Sequence, residues 1–273
     1  MKTAVFYENI HDGAVATGVA VHDALQRLRD EGMEMLYISV DSWIRDRKEL
    51  TKSLELLDLP IEGMHGFCDF AREPATLRYR EMIDLAAEAG AGNLLFVPGM
   101  LSTENTRTAL ETMVAGMKAA VEYGKQKNLP ILMEDFDGLL APYNCIAGLQ
   151  YFFEYVPGLE CAYDTGNFAI FQEDELQAFD RFADKIRTVH LKDRTRERRH
   201  EGDNPCGCAD GSCVYTCAVG SGYIQMDAII KKLKSQDYKG NVIIELYSCD
   251  PRYVLQDAVE SLKWVKERMG KEQ

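Results

Sequence analysis

Several features are scarce in this chain, and each scarcity excludes something. No window approaches the ~20 apolar residues of a membrane span, so no membrane partner is expected. Basic side chains are outnumbered, 31 Lys and Arg against 44 Asp and Glu, for a net charge of −13. A nucleic-acid partner calls for a basic stripe, and the one dense basic run is Arg194 to Arg199. At the N-terminus, Ala4-Val5-Phe6-Tyr7 is cut off by Glu8, short of the roughly 7–15 apolar residues of an export signal. Cytoplasmic residence is therefore expected, with the eight cysteines as reduced thiols rather than a disulfide framework. No glycine-rich phosphate loop stands out, so whether a substrate is phosphorylated is left open.

What is present is repetition. Apolar runs begin near residues 3, 34, 62, 93, 130, 159, 186 and 241. Their spacing of about thirty positions, doubled at the last step, fits a strand followed by a crossover helix, repeated eight times. Runs such as MLYISV, NLLFVPG and NVIIELY are continuous rather than alternating, as parallel strands covered on both faces require. Helical periodicity at i, i+3/i+4 links Val21, Leu25 and Leu28, then Leu110, Met113, Val114, Met117 and Val121, and finally Leu255, Val259, Leu262 and Val265. Ser102 and Thr103 suit the cap position of the second of these helices. A length of 273 residues suits one (β/α)8 barrel of about 250 residues. The expected fold is thus an α/β TIM barrel, residues 1–273 as one domain. Residues 194–225 form an enlarged loop after the seventh strand, on the face where barrels build their sites.

Four strings at strand ends carry the chemistry: ILMEDFD (131–137), CAYDTGN (161–167), RTVHLKD (187–193) and VIIELYS (242–248). Each closes an apolar run on one metal-competent side chain: Glu134, Asp164, His190 and Glu245. Alone, such a Glu is commonly an ion-pair partner and such a His a satisfied core residue. Four on consecutive strands, spaced about 4.8 Å apart, reach a common point and satisfy one another through one divalent cation. Three carboxylates and one imidazole make a hard site, better suited to Mn²⁺ or Mg²⁺ than to zinc's thiolate sites. Mn²⁺ is the expected ion, with Mg²⁺, Co²⁺ and Zn²⁺ as alternatives.

The order Glu, Asp, His, Glu on the last four strands resembles the sugar phosphate isomerase/epimerase family of xylose-isomerase-like barrels. DTGN (164–167), HLKD (190–193), Gly220-Ser221-Gly222 and GNVIIEL (240–246) carry the resemblance, which extends over essentially the whole chain. It implies one Mn²⁺-type ion on Glu134, Asp164, His190 and Glu245, with Glu134 and Glu245 doubling as proton-transfer groups. The activity implied is isomerisation or epimerisation of a keto sugar or related polyol ketone, by proton abstraction beside a polarised carbonyl. A metal-dependent lyase or dehydratase, and a sugar-binding relative without turnover, are the alternatives. A homo-oligomer also stays open, since relatives often pair.

The same resemblance places substrate contacts at Asn167 and Arg196, with Arg194 and Arg198 competing for the arginine's role, and at His65, which could also reach a metal or be a core or capping histidine. Strand alternation puts Lys192 on the same side as His190, where it contacts substrate or pairs with a ligand carboxylate. Asn167 stands where sugar epimerases often carry a histidine, and an amide cannot titrate. Tyr7 and Trp43 offer apolar walls to a sugar, or core packing. DNA-cleaving barrels of this type need three zinc ions and further histidines, which five histidines in an acidic chain do not supply. Cys206, Cys208, Cys213 and Cys217 follow C-x-C-x4-C-x3-C, which is not the paired C-x2-C of a zinc knot. Structural zinc, redox pairing and inert thiols remain the three readings.

Overall fold

A computed structural model describes residues 1–73, 76–102 and 106–270. In chain order the strands are β1 (Thr3–Phe6), β2 (Met35–Ser39), β3 (Ile61–Phe67), β4 (Leu94–Val97), β5 (Ile131–Met133), β6 (Glu160–Asp164) and β7 (Ile186–Leu191). Three short strands follow, β8 (Asp193–Thr195), β9 (Cys206–Gly207) and β10 (Cys213–Cys217), and then β11 (Asn241–Ile244). The helices are α1 (Tyr7–Thr17), α2 (Val21–Asp30), α3 (Val40–Leu57), α4 (Arg78–Glu88), α5 (Thr106–Gln126), α6 (Ile146–Tyr155), α7 (Glu175–Phe182), α8 (Met226–Ser235) and α9 (Val254–Gly270).

Eight parallel strands close into a barrel in the order β1-β11-β7-β6-β5-β4-β3-β2. Each begins within one residue of its expected start, because an apolar run long enough to cross the barrel has nowhere else to hide. The (β/α)8 expectation therefore holds. Leu25 and Leu28 on α2, Met113, Val114, Met117 and Val121 on α5, and Leu255, Val259, Leu262 and Val265 on α9 are buried as their spacing predicts. Thr103, one of the two expected caps of α5, lies outside the described residues. The first crossover departs from expectation by holding two helices. α1 buries Asn9, Gly13 and Ala14 beside Tyr7 and Ile10, a face of small and polar residues that gives little hydrophobic period. A Cβ on Gly13 would stand 2.5 Å from Val254, so α1 packs closely on α9.

The segment 194–225 carries structure of its own. β8, β10 and β9 form a three-stranded antiparallel sheet, and Cys208 and Val214 pack with Ile170 in a small separate core. Trp43 and Tyr7 belong to the main core, with the Tyr7 hydroxyl donating to Asp46 at 2.9 Å. The apolar-wall reading fails for both.

Candidate metal centre

Strand register brings the four ligands together. Asp164 and His190 are paired positions on β6 and β7. Glu134 and Glu245 each follow the last residue of a strand, β5 and β11, on the two sides of that pair. One ligand atom from each of Glu134, Asp164, His190 and Glu245 lies within 4.8 Å of the other three. The two motif strings lock to each other: Thr165 Oγ1 donates to the Lys192 carbonyl at 2.9 Å and accepts from the Lys192 N–H at 2.9 Å. A Cβ on Gly166 would stand 2.4 Å from that carbonyl, which is why glycine follows the threonine. Asp164 Oδ1 accepts from the N–H groups of Gly166 (2.7 Å) and Asn167 (2.9 Å). That turn fixes the carboxylate and leaves Oδ2 for the site.

The donor set fits a divalent cation. Glu134 Oε2, Asp164 Oδ2 and both His190 ring nitrogens are buried without a hydrogen-bond partner, a costly state for polar groups. His190 Nδ1 stands 3.0 Å from Glu134 and 3.2 Å from Glu245. These are approaches of charge rather than aligned hydrogen bonds, so the lone pairs converge on shared space. Burial pushes the Asp164 carboxyl up to about 7, against the pull of Lys192. Burial also opposes charge on His190, but Glu134 and Glu245 outweigh it and raise the imidazole to about 10. Glu245 is held well below the usual carboxylate range: burial works against its charge, and Lys192 and His190 prevail.

Around these ligands lies a cavity of about 300 Å³, lined among others by Phe6, His65, Phe136, Asp137, Asn167, Lys192 and Tyr247. Lys192 Nζ pairs with Glu245 at 2.5 Å and donates to Asn167 Oδ1 at 3.0 Å. Asn167 also accepts from Arg194 at 3.1 Å and donates to the Asp135 carbonyl at 2.9 Å. Its amide thus braces two cations, a task a histidine would not perform. His65 stacks on Tyr37 with ring centroids 5.5 Å apart and stands 3.5 Å from Glu8.

Arg196 is not brought to the cavity. It is exposed, its guanidinium 5.1 Å from the Tyr223 ring centroid. Arg198 lies over Tyr215. Arg194 is the buried one, 1% exposed, bonded to the Gly166 carbonyl, Thr216, Asp137 and Asn167. Two carboxylates escaped sequence reasoning. Asp137 lines the cavity and faces Lys192 and Arg194, which hold it below its ordinary value. Asp135 is fully buried with both oxygens unpartnered, and burial, then Asp164 and Glu134, push it well up. The EDFD string did show all three acids.

The loop cysteines do not gather. Cys206 and Cys208 share one face of the small sheet, Cys213 is exposed, and Cys217 is buried elsewhere. Among the described residues only the Glu134 group brings three or more candidate ligands together. The zinc-knot reading of the loop is therefore not supported, and all eight cysteines are free.

A closed parallel barrel with a carboxylate and imidazole centre at its C-terminal end defines the class. A family model, the xylose isomerase-like TIM barrel, matches residues 17–268, and the chain belongs to that family. Among solved structures it is similar to the probable 3-DHS dehydratase AsbF of Bacillus anthracis, at 16% identity over 96% of this chain and 98% of that one, TM-score 0.73. It is similar to D-allulose 3-epimerase of Methylomonas sp. in complex with D-allulose, at 17% identity over 98% and 97%, TM-score 0.73. The IOLI protein with a bound zinc atom gives 12% identity over 99% and 98%, TM-score 0.76. At such identities the likeness is one of fold. No curated protein matches the chain. No helix among the described residues is long and apolar enough to cross a membrane.

Proposed function

We propose that this chain is a metal-dependent isomerase or epimerase of a keto sugar or related polyol ketone, with Mn²⁺ as the ion held by Glu134, Asp164, His190 and Glu245. The observation that carries the reading is the pair of glutamates. Glu134 and Glu245 follow strands separated by β6 and β7, and both approach His190 Nδ1, at 3.0 and 3.2 Å. Two carboxylates converging on one point from different sides suit removal and return of a proton at one carbon.

Glu134, Asp164, His190 and Glu245 would hold the divalent cation, which would supply polarisation of a carbonyl and its neighbouring hydroxyl and so make the adjacent C–H acidic. The chain's own residues do the rest. Lys192, 2.5 Å from Glu245, keeps that carboxylate ionised. Glu245 takes the carbon's proton and becomes the acid. The protonated form of Glu134 delivers its own proton to the opposite face and becomes the carboxylate, and exchange with solvent restores both. Removal and return on opposite faces invert the carbon, which is epimerisation. A single glutamate moving the proton between neighbouring carbons gives aldose–ketose isomerisation. Phe6 and Tyr247 form part of the aromatic cavity wall.

The test is carbon-bound deuterium. Mn²⁺-loaded protein is incubated with a panel of ketoses in D2O and followed by NMR. Deuterium entering at the carbon beside the carbonyl, together with a new sugar, is the expected result. Glu134→Gln and Glu245→Gln should each slow it by about 10²-fold or more. An unsaturated product would assign the site to a lyase instead, and absence of exchange with every ketose would overturn the proposal.

A further inference from the structure

We infer that Asp137 determines specificity by accepting hydrogen bonds from the hydroxyls of an uncharged substrate, so that the site takes neutral ketoses and rejects phosphorylated or carboxylated ones. The inference rests on the function proposed above and names the substrate class for that site.

An anionic substituent needs convergent N–H donors, supplied by Arg, Lys or a helix N-terminus. Among the described residues, the two cations near the cavity, Lys192 and Arg194, are mostly committed within the protein. Lys192 Nζ is engaged by Glu245 at 2.5 Å and Asn167 at 3.0 Å, with Asp137 and Asp164 each at 3.6 Å. With Glu245 and Asp164 turned to a cation, Asn167 and Asp137 remain around it. Arg194 commits four of its five N–H groups, Nε to the Gly166 carbonyl, Nη1 to Thr216 and Nη2 to Asp137 and Asn167, and does not itself line the cavity.

Asp137 is the reverse case. Among the described residues it is the one carboxylate on the cavity wall outside the four-ligand group, and its side chain is 30% exposed. Its Oδ2 faces Lys192, Arg194 and the Cys206 thiol. Its Oδ1 accepts no hydrogen bond among the described residues. A fixed, ionised carboxylate with a free oxygen at the cavity wall attracts O–H groups and repels phosphate. The cavity of about 300 Å³ sits at the small end of ligand sites, which suits a monosaccharide with no added phosphate.

Calorimetry of the Mn²⁺-loaded protein against ketohexoses and their 6-phosphates tests this, with deuterium exchange followed in parallel. Wild type is expected to bind the neutral sugar at least ten-fold more tightly than its phosphate. Asp137→Asn should weaken the neutral sugar about ten-fold and narrow the discrimination, with Mn²⁺ stoichiometry unchanged. Equal or tighter binding of the 6-phosphate by wild type, or binding of neither, overturns the inference, and this comparison does not depend on the variant folding. A well-folded Asp137→Asn with unaltered discrimination overturns it too. Neutral preference without any C–H exchange would sink the proposed reaction and leave the role of Asp137 standing.

Discussion

Asp164→Asn offers a test with two opposite signs. Without metal, the Asp164 carboxylate is a fully buried charge whose pKa rises from 3.8 to about 7. The unfolded chain releases this proton near its ordinary value while the folded chain keeps it. Stability is therefore lost as pH rises from about 4 to about 7, and the full cost applies above that. At about 1.4 kcal/mol per pKa unit, the cost is at most about 4 kcal/mol. Relaxation around the charge leaves about 2 kcal/mol. Asparagine keeps an acceptor for the Gly166 and Asn167 N–H groups and removes the charge. In chelator at pH 8 the variant should melt about 4–8 °C above wild type, at ~2–4 °C per kcal/mol for a chain of this size. With Mn²⁺ at a hundred times its Kd the order reverses, because wild type gains about 2.7 kcal/mol and the variant has lost a ligand. Differential scanning calorimetry in both conditions reads the crossing. A variant less stable than wild type in chelator, or one that gains as much from Mn²⁺, would refute the reasoning.

Four further outcomes follow from the packing. Arg194→Met should cost about 3 kcal/mol in urea unfolding, since it strands the buried acceptors of a 1%-exposed guanidinium. Arg196→Ala should cost about 0.5–1 kcal/mol, the worth of an exposed cation–π contact. Glu62 is buried beneath the barrel among Asn93, Asn241 and Thr188, and burial raises its pKa. Its folded form holds the proton longer than the unfolded chain, so Glu62→Gln should raise Tm at pH 8 and leave it unchanged at pH 4, read by thermal melts. Gly220→Ala should destabilise by about 1–3 kcal/mol in urea, because φ is +85° and a Cβ would stand 2.1 Å from Trp264 Nε1.

The barrel was legible because each strand needs an unbroken apolar run, and eight such runs at crossover spacing admit one simple arrangement. The four ligands were legible for a related reason: a carboxylate or imidazole ending a buried strand must meet something. Where sequence reasoning fell short, the cause lies in backbone geometry. Strand parity follows β7 to Leu191, but the chain bends before β8 at Asp193. The Asp193 carboxylate then caps the N–H groups of Gly220, Gly222 and Ile224 at 2.8, 2.9 and 3.3 Å. That explains the Gly-Ser-Gly motif and turns Arg194 rather than Arg196 inward. Asp137 was hidden because Glu134 ends the pattern and the next three residues form an irregular turn. α1 was hidden because its buried face holds Asn9, Gly13 and Ala14, residues with no hydrophobic signature.

Manganese counting puts the central assignment most directly at risk. Electron paramagnetic resonance titration of the chelator-stripped protein should show one tightly bound Mn²⁺ per chain, and Glu134→Ala, Asp164→Ala, His190→Ala and Glu245→Ala should each lose it while remaining folded. Stoichiometric binding that survives in all four folded variants, or no tight binding by wild type, would contradict the site.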